Sequence, residues 1–251
     1  MENVPDLINF RNKKDFQQWE LKLQSLGYSN YVKILNGVDY GIPQNRRRVF
    51  MISILGNYNY KFPNTIKLEK KLKDLLEDTV DKKYYLSDKQ IKEISAWKAY
   101  QKPFEEMEKT NKRNISPTIT TRSCDYTAGM ILIKNATKQG YLEASDGDGI
   151  DISSRMKSHR GTVQKDKIQT LTTSCDIGVV INQPHVIGGI GNLTSKQSIR
   201  KLTPKECSRL MGVKDDDFER MTEHQSEASL YHLFGDSIIV NVLMAIFKQL
   251  L

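Results

Sequence analysis

Apolar and polar positions change their period several times along the chain, and each change marks a predicted element. From Lys13 to Leu26 the apolar residues Phe16, Trp19, Leu21, Leu23 and Leu26 form a helix-like stripe, and Gly27 is the residue type usual just past a helix end. Tyr31–Leu35 then reads as a short strand and Arg48–Leu55 as the next, with Val49–Ile54 apolar and β-branched enough for burial on both faces. Strand, helix and strand joined by short connections predict a parallel or mixed sheet covered by helices, the end of an α/β unit spanning residues 1–56. Beyond Gly56 the texture shifts to longer polar connections with isolated apolar segments, which predicts a boundary near Asn57–Asn64. Leu72–Leu76 predicts a helical turn or two, and Ser87-Asp88-Lys89-Gln90 is a capping box opening a helix to about Tyr100. The last fifty residues read as helical. Thr203-Pro204-Lys205-Glu206 combines an N-cap, a proline at the first helical position and a capping-box acid. Asp236 is expected to cap a final helix, Ser237–Leu250, with a core-facing stripe of Ile238, Ile239, Val242, Leu243, Ile246, Phe247 and Leu250.

An internal repeat lies between these parts. Thr118-Ile119-Thr120-Thr121-Arg122-Ser123-Cys124-Asp125 is echoed by Thr170-Leu171-Thr172-Thr173-Ser174-Cys175-Asp176, and an apolar run follows each copy, Gly129–Ile133 and Gly178–Ile181. Two similar β units are expected there. Between the copies, Glu143–Asp151 has the acids and glycines of a calcium loop but not the template's glycine and final glutamate, so it reads as a turn. Lys157–Lys165 is a basic run, and Val186–Gly191 has glycines without the strand, helix and distant acid of a dinucleotide loop.

Composition narrows the class. Lysine and arginine number 38 against 30 acids, a formal charge of +8, which favours a polyanionic partner. Three cysteines without Cys-x-x-Cys spacing and four scattered histidines suggest neither a disulfide framework nor a metal site. No apolar run approaches the roughly 20 residues needed to span a bilayer, and Met1–Asp6 lacks the basic and apolar regions of a signal peptide, so no membrane and a cytoplasmic location are expected.

The chemistry concentrates at Gly41-Ile42-Pro43-Gln44-Asn45-Arg46-Arg47-Arg48, a cationic turn that runs into an apolar strand. Because side chains alternate along an extended segment, Gln44, Arg46 and Arg48 share one side, where they could face a ligand together, and Arg47 points to the other. This arrangement resembles the eighth motif of the DNA cytosine-5 methyltransferases. Glu2-Asn3-Val4 is similar to that family's Glu-Asn-Val motif, Arg200–Gly212 to its ninth motif and Tyr231–Leu243 to its tenth. The motifs occur in the family's order and cover nearly the whole chain.

The resemblance implies an α/β protein: the C-terminal part of an S-adenosylmethionine-dependent methyltransferase Rossmann-like fold over residues 1–56, a smaller, mostly β target recognition lobe over 57–199, and helices returning to the catalytic domain over 200–251. It assigns Glu2 to the ring nitrogen and amine of cytosine, Arg48 to the ring carbonyl where negative charge develops, and Arg46 to orienting the pocket. The target base must leave the duplex to be reached. Asp236 and Ser237 are the implied cofactor contacts, although Leu233 and Asp236 replace the glutamine and asparagine common in the family. Gln44, Arg47 and Arg160 are the implied DNA contacts outside the repeat, and Thr120, Thr121, Arg122, Thr172 and Thr173 the candidate base readers within it.

Two parts of the family's machinery have no counterpart in this sequence: the Pro-Cys nucleophile and the Phe-x-Gly-x-Gly cofactor loop. Cys124 and Cys175 lie in the recognition region, and Cys207 in the ninth motif reads as a small buried residue. Both missing motifs precede Glu-Asn-Val in the family, so a complementary N-terminal half is the expected partner beside double-stranded DNA. The implied role is cytosine methylation in restriction–modification or phage DNA protection. A non-catalytic DNA-binding module and a decayed fragment remain as alternatives; a pure binder, however, has no need of Glu2, Gln44, Arg46 and Arg48 together.

Overall fold

The structure is a computed structural model, and it describes residues 1–95, 130–153, 160–186 and 193–251. In chain order the elements are β1 (Glu2–Asn3), α1 (Lys13–Ser25), β2 (Tyr28–Asn36), β3 (Gln44–Asn45), β4 (Arg47–Leu55), α2 (Asp88–Ile94), β5 (Met130–Lys134), β6 (Tyr141–Ser145), β7 (Gly149–Asp151), β8 (Val163–Gln164), β9 (Ile168–Gln169), β10 (Ile177–Val186) and β11 (Leu193–Lys201). Four helices follow: α3 (Pro204–Leu210), α4 (Asp215–Thr222), α5 (Glu227–Asp236) and α6 (Val240–Phe247). They form two compact units. The first contains Met1–Lys71, Thr170–Ser174 and Pro204–Leu251, the second Leu72–Gln169 and Cys175–Thr203.

The first unit is built on a three-stranded sheet in the order β1-β4-β2. Both neighbouring pairs are antiparallel, with Glu2 opposite Phe50 and Tyr28–Asn36 running against Leu55–Arg47. Strands β1 and β2 therefore point the same way but are separated by β4, so the described sheet is antiparallel throughout rather than the parallel or mixed sheet expected from the pattern. Helix α1 carries the chain from β1 to β2. The Gly37–Arg46 link is short, and a parallel crossover would need about a dozen residues or more, so β4 returns antiparallel. Helix α1 ends where expected, with Gly27 at φ +88° in the left-handed region. Of its apolar stripe only Phe16 is buried, while Trp19, Leu21 and Leu26 are exposed.

Three further expectations for this unit need correction. The boundary at Asn57–Asn64 falls too early, because Tyr60 packs edge-on against Tyr31 and Phe62 at ring separations of 5.5 and 5.2 Å, and Ile66 N donates to Asp39 O at 2.9 Å. Asp236 does not cap a helix beginning at Ser237; it is the last residue of α5, and Ser237 and Ile239 are extended before α6 starts at Val240. The apolar stripe expected for the final helix is also only partly covered: Val242 and Ile246 are buried, but Phe247 is 55% exposed.

The second unit is mostly β. Strands β10 and β11 form a long antiparallel pair from Gly178 opposite Lys201 to Val186 opposite Leu193, and β10 also pairs with β7. Ile131, Ile133, Ala144, Ile150, Val180 and Ile199 pack with Ile94 of α2 in its core. The capping box is formed: Ser87 N donates to Gln90 Oε1 at 2.9 Å, and Gln90 N donates to Ser87 Oγ. Helix α2 ends at Ile94 rather than near Tyr100, with Ser95 already extended, and the remainder of that expected helix lies outside the described residues. Asp146–Gly147 forms a turn, Gly147 at φ +84°, in which buried Asp148 accepts from Ser145 N at 2.8 Å and from Lys165 Nζ at 2.8 Å. The first repeat copy, with Thr120, Thr121 and Arg122, and the glycines at 188, 189 and 191 lie outside the described residues. The second copy is not the expected β unit at its start, since Thr170–Ser174 is irregular and belongs to the first unit.

Candidate functional site

Register brings the first two candidate residues together. Glu2 on β1 stands opposite Phe50 on β4, and Arg48, two residues before Phe50, projects from the same face as its diagonal neighbour. The Arg48 Nε to Glu2 Oε1 distance is 3.1 Å, and the two side chains are 17% and 18% exposed, enough shelter to strengthen the pair and enough access for a ligand. Arg48 Nη1 also donates to Arg47 O at 2.8 Å, which steadies its guanidinium from the strand itself.

The alternation holds, but the row turns inward. Asn45 and Arg47 are exposed, whereas Gln44 and Arg46 are buried. Gln44 was expected to touch DNA; its amide instead bridges two segments, Nε2 donating to Leu210 O at 2.8 Å and Oε1 accepting from Leu171 N at 3.2 Å. With both ends bonded and no exposed surface, it offers nothing to a ligand in this structure. Arg46 resembles it. Its Nη1 donates to Leu171 O at 3.0 Å, and its Nη2 to Gly235 O and Ser237 O, each at 2.8 Å. The carbonyls that α5 leaves unpaired at its C-terminus thus receive a cation, which the helix dipole favours. Only Nε of this guanidinium lacks a partner among the described residues.

Electrostatics tie these groups together. Burial, with the nearby Arg48 charge second, lowers Arg46 to about 10, and Glu2 and Asp236 pull it back up. At neutral pH Arg46 remains charged. Arg46, Arg48, Glu2 and Asp236 therefore share one field within the first unit.

The remaining candidates are more dispersed. Arg47 is exposed on the far side of β4, and Arg160 is exposed in the second unit, bridging to Asn135. Thr172 and Thr173 are exposed on the Thr170–Ser174 segment, in the same unit as Glu2 and Arg48. Asp236 is exposed and 3.2 Å from His232 Nδ1, and Ser237 Oγ donates to Leu233 O at 2.6 Å. The Ser237 hydroxyl is thus engaged as a donor and keeps its acceptor lone pairs, and the Asp236 carboxylate would repel the methionine carboxylate of S-adenosylmethionine if it faced that group. Residues that sequence reasoning missed are Leu171, whose backbone both Gln44 and Arg46 hold, and Asn241, which donates from Nδ2 to Tyr40 O at 3.1 Å. Neither contact has a local signal, since the partners are more than a hundred positions apart.

Comparison with known proteins bears on the family and the fold. A family model described as C-5 cytosine-specific DNA methylase matches residues 1–251. The chain is 32% identical over its whole length to the type II methyltransferase M2.ScrFI of Lactococcus lactis subsp. cremoris, of which it covers 53%. It is 26% identical to the type II methyltransferase M.HhaI of Haemophilus parahaemolyticus over 98% of this chain and 60% of that protein. It is also 25% identical to the orphan methyltransferase M.SPBetaI of Bacillus phage SPbeta, covering 65% of it. Among solved structures, the Dnmt2 methyltransferase of S. pombe is similar in fold, with a TM-score of 0.54 at 16% identity over 99% of this chain and 62% of that one. The methyltransferase EhMeth of Entamoeba histolytica is similar too, with a TM-score of 0.54 at 15% identity over 100% and 62%. The chain thus spans about half to two-thirds of the length of the relatives it matches.

Proposed function

The chain belongs to the C-5 cytosine-specific DNA methylase family, and from that premise we propose that it supplies the base pocket and the DNA-recognition portion of a DNA cytosine-5 methyltransferase. The observation that carries this reading is the sheltered Glu2–Arg48 pair on adjacent strands. Attack on a cytosine ring needs a group that hydrogen-bonds the ring nitrogen and exocyclic amine, and a carboxyl at Glu2 can do both. It also needs a donor at the ring carbonyl, where negative charge builds, and Arg48 is a fixed cation beside Glu2. The thiolate nucleophile and the main site for S-adenosylmethionine, which supplies the methyl group, belong in this reading to the portion of the relatives that this chain does not span. Arg47, Arg160, Thr172 and Thr173 serve as DNA contacts, alongside Thr120, Thr121 and Arg122. The bacterial and phage relatives, named as type II and orphan methyltransferases, favour DNA modification or protection as the biological setting.

A complementary methyltransferase portion is the proposed partner, and a surface feature supports it. Several large hydrophobic side chains are exposed in the unit bearing Glu2 and Arg48, among them Trp19, Leu21 and Leu55, and Met244 and Phe247 on α6. Covering these side chains is what such a partner would do.

The decisive experiment is methyl transfer to DNA by the purified chain with and without that portion. The chain alone is expected to incorporate no methyl groups, and the mixture to incorporate them at cytosine; activity of the isolated polypeptide would sink the reading. DNA binding should survive without the partner and depend steeply on salt. Affinity is expected to fall roughly 10³-fold or more between low and moderate salt if ~6 phosphates are neutralised. A titration that is flat with salt would contradict a phosphate-based interface.

A further inference from the structure

Thr170–Ser174 lies in sequence between β9 and β10 of the second unit, yet it folds with the unit that carries Glu2 and Arg48. Three kinds of contact hold it. Thr170 Oγ1 donates to Asn45 O at 2.9 Å, Leu171 N donates to Gln44 Oε1 at 3.2 Å, and Leu171 O accepts from Arg46 Nη1 at 3.0 Å. Leu171 is buried by this arrangement, while Thr172, Thr173 and Ser174 stay exposed, with Thr172 Oγ1 and Ser174 Oγ 3.2 Å apart.

Gly235 reveals how tight the attachment is. A Cβ at this position would stand 2.5 Å from Thr173 N and 2.7 Å from both Thr172 C and Thr173 Cα. All three are backbone atoms, so nothing could swing aside as the tip of a side chain can. Gly235 has no positive φ among the described residues; its smallness, rather than its conformational freedom, is what the contact requires. Glycine is a poorer helix former than alanine, and the approach of the Thr172–Thr173 backbone is the reason on view for its place in the last turn of α5.

We propose that Gly235, Gln44 and Arg46 are positioning residues for DNA recognition: they pin Thr170–Ser174 to the Glu2–Arg48 unit, so that the exposed hydroxyls of Thr172 and Thr173 meet DNA in a fixed register with the base pocket. The inference rests on the DNA-methyltransferase reading above. It also changes the role of the two threonines. They are read not as part of a separate recognition lobe but as recognition groups mounted on the catalytic unit itself.

The test uses the full chain and a short mixed-sequence DNA duplex at low salt. Removing both hydroxyls in Thr172→Ala with Thr173→Ala is expected to weaken binding roughly tenfold, the loss of two hydrogen bonds. Gly235→Ala should weaken it to a similar degree without touching DNA, and the triple variant should lose no more, because both changes act through one segment. In hydrogen exchange the Leu171 amide should lose protection in Gly235→Ala while the β2 and β4 amides keep theirs. Additive losses, or unchanged Leu171 protection in Gly235→Ala, would overturn the proposal. If Gly235→Ala fails to fold, Thr170→Val removes only the bond to Asn45 O and should show the same pattern more weakly; Leu171 exchanging like free coil in the unsubstituted chain overturns the proposal without any variant. Failure of the function reading looks different, since the unsubstituted chain would then not bind the duplex at all.

Discussion

Arg48→Ala, assayed with the complementary methyltransferase portion present, is expected to lower turnover by ~10²-fold or more while DNA affinity changes little. A donor aimed at the charge developing in the attacked ring is worth most in the transition state, so its removal acts on rate rather than on ground-state binding. The geometry supports this assignment, because Arg48 reaches Glu2 at 3.1 Å and its guanidinium keeps partial access to solvent. Arg47 provides the contrast. Its side chain is exposed on the other side of β4, and the bond it offers Arg48 comes from its backbone carbonyl, which Arg47→Ala leaves in place. Arg47→Ala should therefore weaken DNA binding and flatten its salt dependence, with only a modest effect on turnover. Single-turnover methylation and DNA titration on both variants separate pocket from surface, and equal behaviour of the two would mean that the pocket has been misassigned.

The parts of this fold that could be read from the sequence were those with local causes. The end of α1 at Gly27, the capping box at Ser87 and Gln90, and the alternation from Gln44 to Arg48 each depend on neighbours a few positions apart. Family resemblance assigned Glu2 and Arg48 to the same base, which no local pattern contains; their direct contact at 3.1 Å was visible only in the structure. What stayed hidden was the environment of the row. Alternation says that Gln44, Arg46 and Arg48 share a side, but not whether that side meets a ligand or a backbone in need of donors. Here the carbonyls of Leu171, Leu210, Gly235 and Ser237 arrive from distant sequence and take up the first two side chains. The same long-range demand moved Thr170–Ser174 out of the recognition region and into the first unit. It also explains the break at Asp236: the chain leaves α5 beneath the Arg46 guanidinium, so α6 has to begin afresh at Val240.

The burial of Arg46 leads to the second large effect, on stability. Arg46→Ala removes the donors to three carbonyl groups in a part of the first unit where Arg46 itself is only 3% exposed. A hydrogen bond to a charged group contributes about 1.5–3 kcal/mol, and a buried acceptor left without a partner adds its own desolvation cost, so a loss on the order of 3 kcal/mol or more is expected. Part of that is offset by release of the buried charge. Burial first of all holds Arg46 down to about 10, well below the usual guanidinium range, so keeping it charged already costs stability at neutral pH, a cost that eases only as pH rises through about 10. Arg46→Lys keeps a cation but not the planar fork that reaches Leu171 on one side and Gly235 and Ser237 on the other, so it should recover only part of the loss. The check is urea unfolding of the three proteins, read as a shift of the midpoint with an unchanged slope. A pocket arginine acting on the reacting base would give the opposite outcome, Arg46→Ala as stable as the parent chain but inactive with its partner, and that result would return Arg46 from positioning to catalysis.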